Sequence, residues 1–471
     1  MLTVDDVVEA LTQTRPGVDR PITGAVVDSR EATRGSMFVA MKGKRTDGHD
    51  FVEDAFEHGA ALALVEDVPD GNVRVVDLRG GKLKDSQAWE FPLRLRVNST
   101  LDALQKAAAH WRDQIDVRVI GITGSVGKST TKELTAEVLE RRYRTLKNPG
   151  NLNNEIGLPL SLLRLTERHK RAVLEMGFYV PGEIALLCQI ARPSVGVVTN
   201  ISQVHLERAK TLDAIVQGKT ELVESLPAAP EGVAILNNDD PLVKGMAERT
   251  EARVFTYGLS SDSDLWADDV VGLGLEGIRL ILHYQGESIH VRVPLLGRHS
   301  VHTVLRASAV GLVEGLTWEE IVSGLQTTPS QLRLMAVTGP KGAILLDDTY
   351  NAAPASTIAA LNLLDDLDGQ KTAVLGDMLE LGSFEERGHR MVGARAAEVV
   401  DQLITVGERA HWIAQEAIKA GLSEERVVEV DRPKQAIKYL KKHIGPDDVV
   451  LVKGSRGMHM DTIVNELEQR Q

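Results

Sequence analysis

The chain has 471 residues, 43% of them hydrophobic and 26% charged, which suits a folded protein but exceeds what one core serves, so two to three domains of about 100–200 residues are expected. A formal net charge of −13 argues against a sequence-independent grip on nucleic acid, which needs a basic face, and favours small-molecule partners. The single cysteine, Cys188, excludes an internal disulfide and fits a reducing compartment; set in IALLCQIA, it reads as a small buried side chain.

The amino-terminal MLTVDDVVEALTQ is acidic and amphipathic, unlike a signal peptide, and no apolar run approaches the ~18 residues a membrane span needs. A cytoplasmic protein is expected. Residues 1–97 alternate strand-like runs (ITGAVVDSR, GSMFVAM, ALALVED) with the helix FVEDAFEHGA, giving a small first domain. Asp28, Ser29 and Arg30 follow a buried strand, where a polar ligand contact is plausible. The loop from Lys42 to Asp50, with His49, reads equally as a solvated turn or as a ligand contact.

A helix, LDALQKAAAHWRDQ, then leads into VRVIGITGSVGKSTTKELTAEVL, and a boundary near residue 98 is expected. Val117, Val119, Ile120 and Ile122 form a short buried strand; Leu134, Val138 and Leu139 recur at helical spacing; between them lie Gly121, Gly124 and Gly127, followed by Lys128, Ser129 and Thr130. A strand, a glycine loop and a helix start cradle phosphate, because glycines let backbone N–H groups converge and the helix N-terminus favours anions. Lys128 adds charge and Ser129 would hold Mg²⁺. Ile122 stands where the general P-loop pattern has its first glycine, and the alternative is a turn that serves packing alone.

Strands and helices then alternate for about 200 residues, the pattern of a mostly parallel sheet with helices on both faces. Ligands of such sheets bind outside the carboxyl ends of the strands. Lys128, Ser129, Glu175, Asn200, His205 and Asp239 all follow such ends, so one crevice is expected to collect them. Asn151, Asn153 and Asn154 form an amide cluster that can read sugar and phosphate oxygens or, alternatively, cap a helix. TTPSQLRL, near residues 327–334, reads as a linker. The last 140 or so residues repeat the alternation, with Asp347, Asp348, Tyr350 and Asn351, then Asp377 and Glu380, then Lys453, Ser455 and Arg456 after strands.

Taken together, the segments DSR…GSMFVAMKGKRTDGHD, GITGSVGKSTTKE, NPGNLNNEIGLPLSLL, LEMG, TNISQVHLE, LDDTYNAAPAS, LGDMLELG and LVKGSRGMHMD resemble the Mur ligases over essentially the whole chain. DDTYNAAP and GDMLELG look most like the branch that joins D-alanyl-D-alanine to UDP-N-acetylmuramoyl-tripeptide; the DNPR motif typical of diaminopimelate-adding relatives does not occur. The resemblance implies an α/β protein of three domains: a UDP-sugar-binding domain at 1–97, a central P-loop-containing ATPase domain with a mostly parallel sheet at 98–329, and a Rossmann-like domain at 330–471 that binds the dipeptide.

It also implies ATP, two Mg²⁺ sites and an acyl-phosphate intermediate. Lys128, Glu175, His205 and Lys219 would be catalytic; Ser129, Glu175, His205 and a carbamylated Lys219 would hold metal. Thr123, Gly124, Ser125, Val126, Gly127, Lys128, Ser129 and Thr130, with Asp348, Tyr350 and Asn351, would bind ATP. Ser29, Arg30, Lys42, His49, Asn151, Asn153 and Asn154 would bind the UDP-sugar substrate, and Lys453, Ser455 and Arg456 would orient the dipeptide. Lys219 without such a modification would read as a solvated lysine on an amphipathic helix.

The chain departs from the family at Ser300 and Thr303, where asparagines are usual and the second commonly meets adenine, and at Gln331, where an arginine is common and Arg333 is the nearest guanidinium. A monomer is expected. Two other readings remain from residues alone: another Mur-type amino acid ligase, and a nucleotide-regulated binding protein without catalysis.

Overall fold

The computed structural model describes residues 1–43, 46–68, 74–83, 89–203, 206–327 and 334–469, arranged around three sheets. The first contains β1 (Ala25–Val26), β2 (Met37–Val39), β3 (Leu62–Val65), β4 (Val75–Asp77) and β5 (Leu93–Arg96), all parallel, in the order β1-β2-β3-β5-β4. Strands β2 and β3 are apolar and buried throughout, as a parallel strand covered on both faces must be. Alternate side chains serve opposite cores: Met37, Val39, Leu62 and Leu64 pack with Val4, Val7 and Val8 of the helix Val4–Thr12, while Phe38, Ala63 and Val65 pack with Val52 and Ala55.

The second sheet has nine strands: β6 (Arg118–Thr123), β7 (Thr145–Lys147), β8 (Arg171–Glu175), β9 (Val195–Val198), β10 (Val233–Asn237), β11 (Arg253–Gly258), β12 (Leu265–Gly272), β13 (Ile278–Tyr284) and β14 (Glu287–Val293). Strands β6 to β11 pair in parallel, and β12 to β14 extend the sheet mainly by antiparallel pairing. β6 lies between β9 and β8, so the glycine loop leaves the sheet with a strand end on either side.

The helix Thr100–Asp113, capped by the Ser99 hydroxyl, does not act as a spacer after the first sheet. Its Ala103, Leu104, Ala107, Ala108 and Trp111 join one continuous apolar cluster that includes Leu64 and Leu95 on one side and Leu158, Leu162 and Leu187 on the other. Burial of that stripe couples the first two layers.

The third sheet contains β15 (Met335–Thr338), β16 (Ile344–Asp348), β17 (Gln370–Gly376), β18 (Gln402–Val406), β19 (Val427–Val430) and β20 (Asp448–Lys453), in the order β15-β16-β20-β17-β18-β19. Only β15 is antiparallel. The linker expected at 327–334 falls largely on residues 328–333, outside the described residues, and so do Gln331 and Arg333. No helix among the described residues is long and apolar enough to cross a membrane.

One ion cluster ties together the starts of two neighbouring strands of the central sheet. The buried Glu314, just after the helix Val301–Val313, pairs with Arg118 (2.8 Å) at the start of β6 and with Arg171 at the start of β8; Arg171 also covers the Tyr143 ring. Glu314→Ala would leave two partly exposed guanidiniums without their shared acceptor. The expected loss is ~2 kcal/mol, below that of a fully buried pair, and would lower the central domain's melting temperature by about 4–8 °C in calorimetry.

Candidate functional site

The C-terminal ends of the central and third sheets face a cavity of about 1120 Å³. Ser125, Val126, Gly127, Lys128, Thr130, Asn151, Asn153, Asn154, Glu175, Asn200 and Asp239 line it from the central domain. Asp348, Tyr350, Asn351, Lys453, Ser455 and Arg456 line it from the third. Two sets of residues far apart in sequence therefore share one cleft. Among the described lining residues none comes from the first domain, so Ser29, Arg30, Lys42 and His49 lie elsewhere.

The loop that closes the cavity floor is fixed by backbone approach. Gly124 has φ +139°, and a β-carbon there would sit 1.9 Å from the Thr199 hydroxyl oxygen. The loop is clipped to the end of β9: Val126 C=O accepts from Thr199 Oγ1 (2.7 Å) and Asn200 Nδ2 (3.2 Å), and Val126 N–H donates to Asn200 Oδ1 (3.0 Å). Thr123, at the end of β6, donates its hydroxyl to Met176 C=O (3.1 Å). Gly127 (φ +83°) then opens the helix Lys128–Leu139, which brings a helix N-terminus to the cavity wall, a favourable place for phosphate.

Two lysine side chains converge beneath this loop. Lys128 Nζ donates to the carbonyls of Gly124 (2.9 Å) and Ser125 (3.3 Å), and Lys219 Nζ donates to the same Gly124 carbonyl (2.8 Å). Lys219 is completely buried in the helix Leu212–Glu224, which corrects the reading of it as a solvated lysine. Burial first, and the charge of Lys128 second, pull its pKa well below the ordinary lysine value.

Glu175, at the end of β8, is buried and joins the same floor. One carboxylate oxygen accepts a short hydrogen bond from the Ser129 hydroxyl, and the other accepts from Asn153 Nδ2 (2.8 Å). Its peptide group is held by a residue that sequence reasoning missed, the wholly buried Asn148, whose Oδ1 accepts from Glu175 N–H (2.9 Å) and whose Nδ2 donates to Glu175 C=O (3.1 Å). The signal was present in KNPGN but was indistinguishable from turn chemistry. Of the neighbouring amides, Asn154 Oδ1 accepts from Gly157 N–H (2.8 Å) ahead of the helix Gly157–Leu162, while Asn151 is exposed and lines the cavity.

The donor set suits Mg²⁺, which takes oxygen ligands, usually one or two carboxylates completed by phosphates and water. Ser129 and Glu175 offer a hydroxyl and a carboxylate side by side. Among the described residues no group of three or more His, Cys, Asp or Glu stands ready as an all-protein cage. His205, expected as a further ligand, lies outside the described residues.

Ser300 and Thr303 both line the cavity wall. The Ser300 hydroxyl donates back to Leu296 C=O (2.8 Å). Thr303 instead accepts from the guanidinium of Arg306 (2.9 Å), whose Nε donates to Thr131 (2.9 Å) on the helix that starts at Lys128. Arg306 is buried and lines the cavity, a site residue the sequence reading missed although its three-residue spacing from Thr303 places both on one helix face. His302 pairs with Asp239 (2.9 Å) nearby.

In the third domain, Lys453 at the end of β20 is buried and donates to Asp348 (2.6 Å) and to Asn351 C=O (2.9 Å). Residues assigned to two different ligands are thus one connected cluster. Arg456 lies over the Tyr350 ring at 5.5 Å, and the Ser455 hydroxyl accepts from Leu379 N–H (2.8 Å). The loop Met378–Leu381 is held from behind by His389, also missed. The His389 Nε2 accepts from Met378 N–H (2.9 Å) while Nδ1–H donates to Glu385 C=O (2.7 Å). That pairing requires the neutral ring, and burial pushes its pKa down.

In the first domain, Arg30 forms a two-point pair with Asp28 (2.9 and 2.6 Å), Lys42 pairs with Asp67 (2.7 Å), and His49 bridges Asp47 (2.6 Å) and Glu66 N–H (2.8 Å). Ser29 is buried beside Arg30.

A glycine phosphate loop at the C-terminal edge of a parallel sheet, facing a second α/β domain across a cleft, defines an ATP-using ligase architecture. The Mur ligase family catalytic domain matches residues 21–112, the Mur ligase middle domain 122–311, and the Mur ligase glutamate ligase domain 332–456, and the chain belongs to the Mur ligase family. It is 34% identical to the UDP-N-acetylmuramoyl-tripeptide–D-alanyl-D-alanine ligase of Bacillus subtilis, over 95% of this chain and 93% of that protein, and 32% identical to the Escherichia coli ligase of the same name, over 99% and 98%. Among solved structures it superposes on MurF from Acinetobacter baumannii with a TM-score of 0.84 (30% identity, 99% and 98% covered) and on MurF from Thermotoga maritima in complex with ADP with 0.78 (28% identity, 97% of each).

Two outcomes follow from this geometry. Gly124→Ala must displace the loop from Thr199, so ADP binding measured by calorimetry should fall by at least about tenfold, ~1.4 kcal/mol. For His389, the pKa is lowered in the folded protein, so the unfolded chain takes up its proton first as pH falls. Stability present above the ordinary histidine pKa, about 6.5, is therefore lost as pH drops below it. His389→Gln should flatten that loss in urea titrations at pH 5 and 7.5.

Proposed function

We propose that this chain joins D-alanyl-D-alanine to UDP-N-acetylmuramoyl-tripeptide at the expense of ATP, releasing ADP and phosphate, as a step in peptidoglycan precursor synthesis in the cytoplasm. The observation that carries the reading is the single cleft in which Lys128 and Glu175 face Asp348, Lys453 and Ser455, in a chain that matches ligases of that name along almost its whole length. The functional division is 1–97 for the UDP-sugar, 98–329 for ATP and 330–471 for the dipeptide, with the chain acting as a monomer.

In the first half-reaction an oxygen of the tripeptide carboxylate attacks the γ-phosphorus of ATP, the bridging P–O bond breaks, and ADP leaves an acyl phosphate. In the second, the amine of D-alanyl-D-alanine attacks the acyl carbon and phosphate departs. Charge builds on the transferring phosphoryl oxygens, and preorganised cations and N–H dipoles offset it. Lys128 supplies the cation, and residues 124–130 supply the loop and helix start around the phosphates. Ser129 and Glu175, with His205 and a carbamylated Lys219, would hold two Mg²⁺ ions. Such ions would neutralise phosphate charge and polarise the γ-phosphoryl group.

Carbamylation of Lys219 is supported by the burial that draws its pKa well below the ordinary lysine value, since only an uncharged amine attacks CO₂, and by a location where an anion would answer Lys128. Arg306, held by Thr131 and Thr303, borders the adenine end, where the hydroxyls of Ser300 and Thr303 stand in place of amides. Ser29, Arg30, Lys42 and His49, with Asn151, Asn153 and Asn154, bind the UDP-sugar end, and Arg30 and Lys42 exchange their acidic partners for diphosphate oxygens. Lys453, Ser455 and Arg456 orient the dipeptide, with Asp348, Tyr350 and Asn351 toward ATP. Because the three ligands are gripped by different domains, domain closure accompanies binding.

Purified protein given ATP, UDP-N-acetylmuramoyl-tripeptide and D-alanyl-D-alanine should release phosphate and form the pentapeptide product. Release only with single amino acids would instead mark a third-residue-adding ligase. Lys128→Ala should lower kcat by about 10²–10³-fold, the scale of removing a transition-state charge partner. Glu175→Gln should raise the Mg²⁺ concentration needed for half-maximal rate.

A further inference from the structure

Lys219 is completely buried, and among the described residues lining the cavity it is absent. What lines the wall in front of it is Phe178, in the loop after β8. The Phe178 ring centre lies 4.9 Å from Lys219 Nζ, and the ring is almost wholly buried although one edge faces the cavity. The ring reaches that depth only because the residue before Lys219 has no side chain. A β-carbon at Gly218 would fall 1.9 Å from the ring, far inside contact distance. Phe178 and Gly218 therefore form a matched pair, a large side chain seated in the space a missing one leaves. That pair puts an aromatic ring, rather than the lysine, against the reaction chamber.

Accordingly, we infer that Phe178, seated on Gly218, is a positioning residue that shutters Lys219 from the cavity and controls the exchange of its carboxylate adduct with dissolved CO₂. This rests on the carbamylation reading above. The step is the attack of the uncharged Nζ lone pair on the carbon of CO₂; one C=O π bond opens onto oxygen, the nitrogen releases a proton to solvent, and R–NH–COO⁻ results. The reverse needs the same path. Both directions require CO₂ and a proton acceptor or donor to pass the ring, so the ring sets the rate of gain and loss while the lysine environment sets the equilibrium. An adduct formed behind a closed ring persists through many turnovers even when CO₂ is scarce.

The test uses full-length protein equilibrated with ¹³C-labelled bicarbonate. A carbamate carbon resonance should appear in the wild type and be lost in Lys219→Arg; its absence from the wild type overturns the carbamylation reading and this inference with it. Label is then chased with unlabelled bicarbonate. Phe178→Leu and Phe178→Ala should lose label faster by about tenfold, equivalent to ~1.4 kcal/mol of lost opening cost. Gly218→Ala, which must push the ring out of its seat, should do the same and also lower the melting temperature. The double variant Phe178→Ala/Gly218→Ala removes the clash and separates packing from shielding. It should recover stability lost in Gly218→Ala while keeping the fast exchange. A wild-type carbamate whose exchange is unchanged in both Phe178 variants, or a double variant that returns to slow exchange as its stability recovers, would overturn the shutter role and leave carbamylation standing.

Discussion

The backbone of residues 124–127 lies against the end of β9 more closely than any side chain at 124 would allow, and the site is assembled around that approach. With the Gly124 carbonyl fixed there, Lys128 folds over it from one side and Lys219 reaches it from beneath. With the helix start fixed by Gly127, the Ser129 hydroxyl meets Glu175. Neither contact could be formed by a floppy loop, because each joins groups on different elements through one short peptide segment. A hydrogen-bonded backbone is an economical way to hold a phosphate site, since its dipoles are aimed before the ligand arrives.

Charge in the cleft is arranged in compensating layers. Lys128 and the buried Lys219 meet at the Gly124 carbonyl, Glu175 accepts from Ser129 in the same floor, and the cation of Lys453 is answered by Asp348 within the third domain. Low exposure makes each of these groups expensive to leave unmatched. The same logic explains why Arg306 is tied to Thr131 and Thr303: a buried guanidinium needs acceptors, and short hydroxyls provide them where longer amides would compete for the cavity.

The helix Thr100–Asp113 shows how the domains are kept in register. Its apolar stripe is shared by the cores of the first and second sheets, so hydrophobic packing runs without a break past the boundary expected near residue 98. The central domain lines one side of the cavity and the third domain the other.

The sequence by itself determined the α/β class and the three-part family architecture. It also determined the glycine loop and the strand ends where Lys128, Glu175, Asn200, Asp239, Asp348 and Lys453 stand, because these follow from hydrophobic period, glycine spacing and local order along the chain. Cys188 as a buried apolar side chain was legible for the same reason. Only the tertiary structure decided what has no local signature. Asn148 clamps Glu175 from 27 residues away, and Arg306 touches Thr131 across 175 positions. His389 supports a loop through its neutral ring, and Lys219 is buried despite lying on a helix that reads as amphipathic. Burial, partner choice and the fit of Phe178 onto Gly218 depend on which surfaces meet after folding, and a linear pattern carries periodicity but not the identity of the opposing surface.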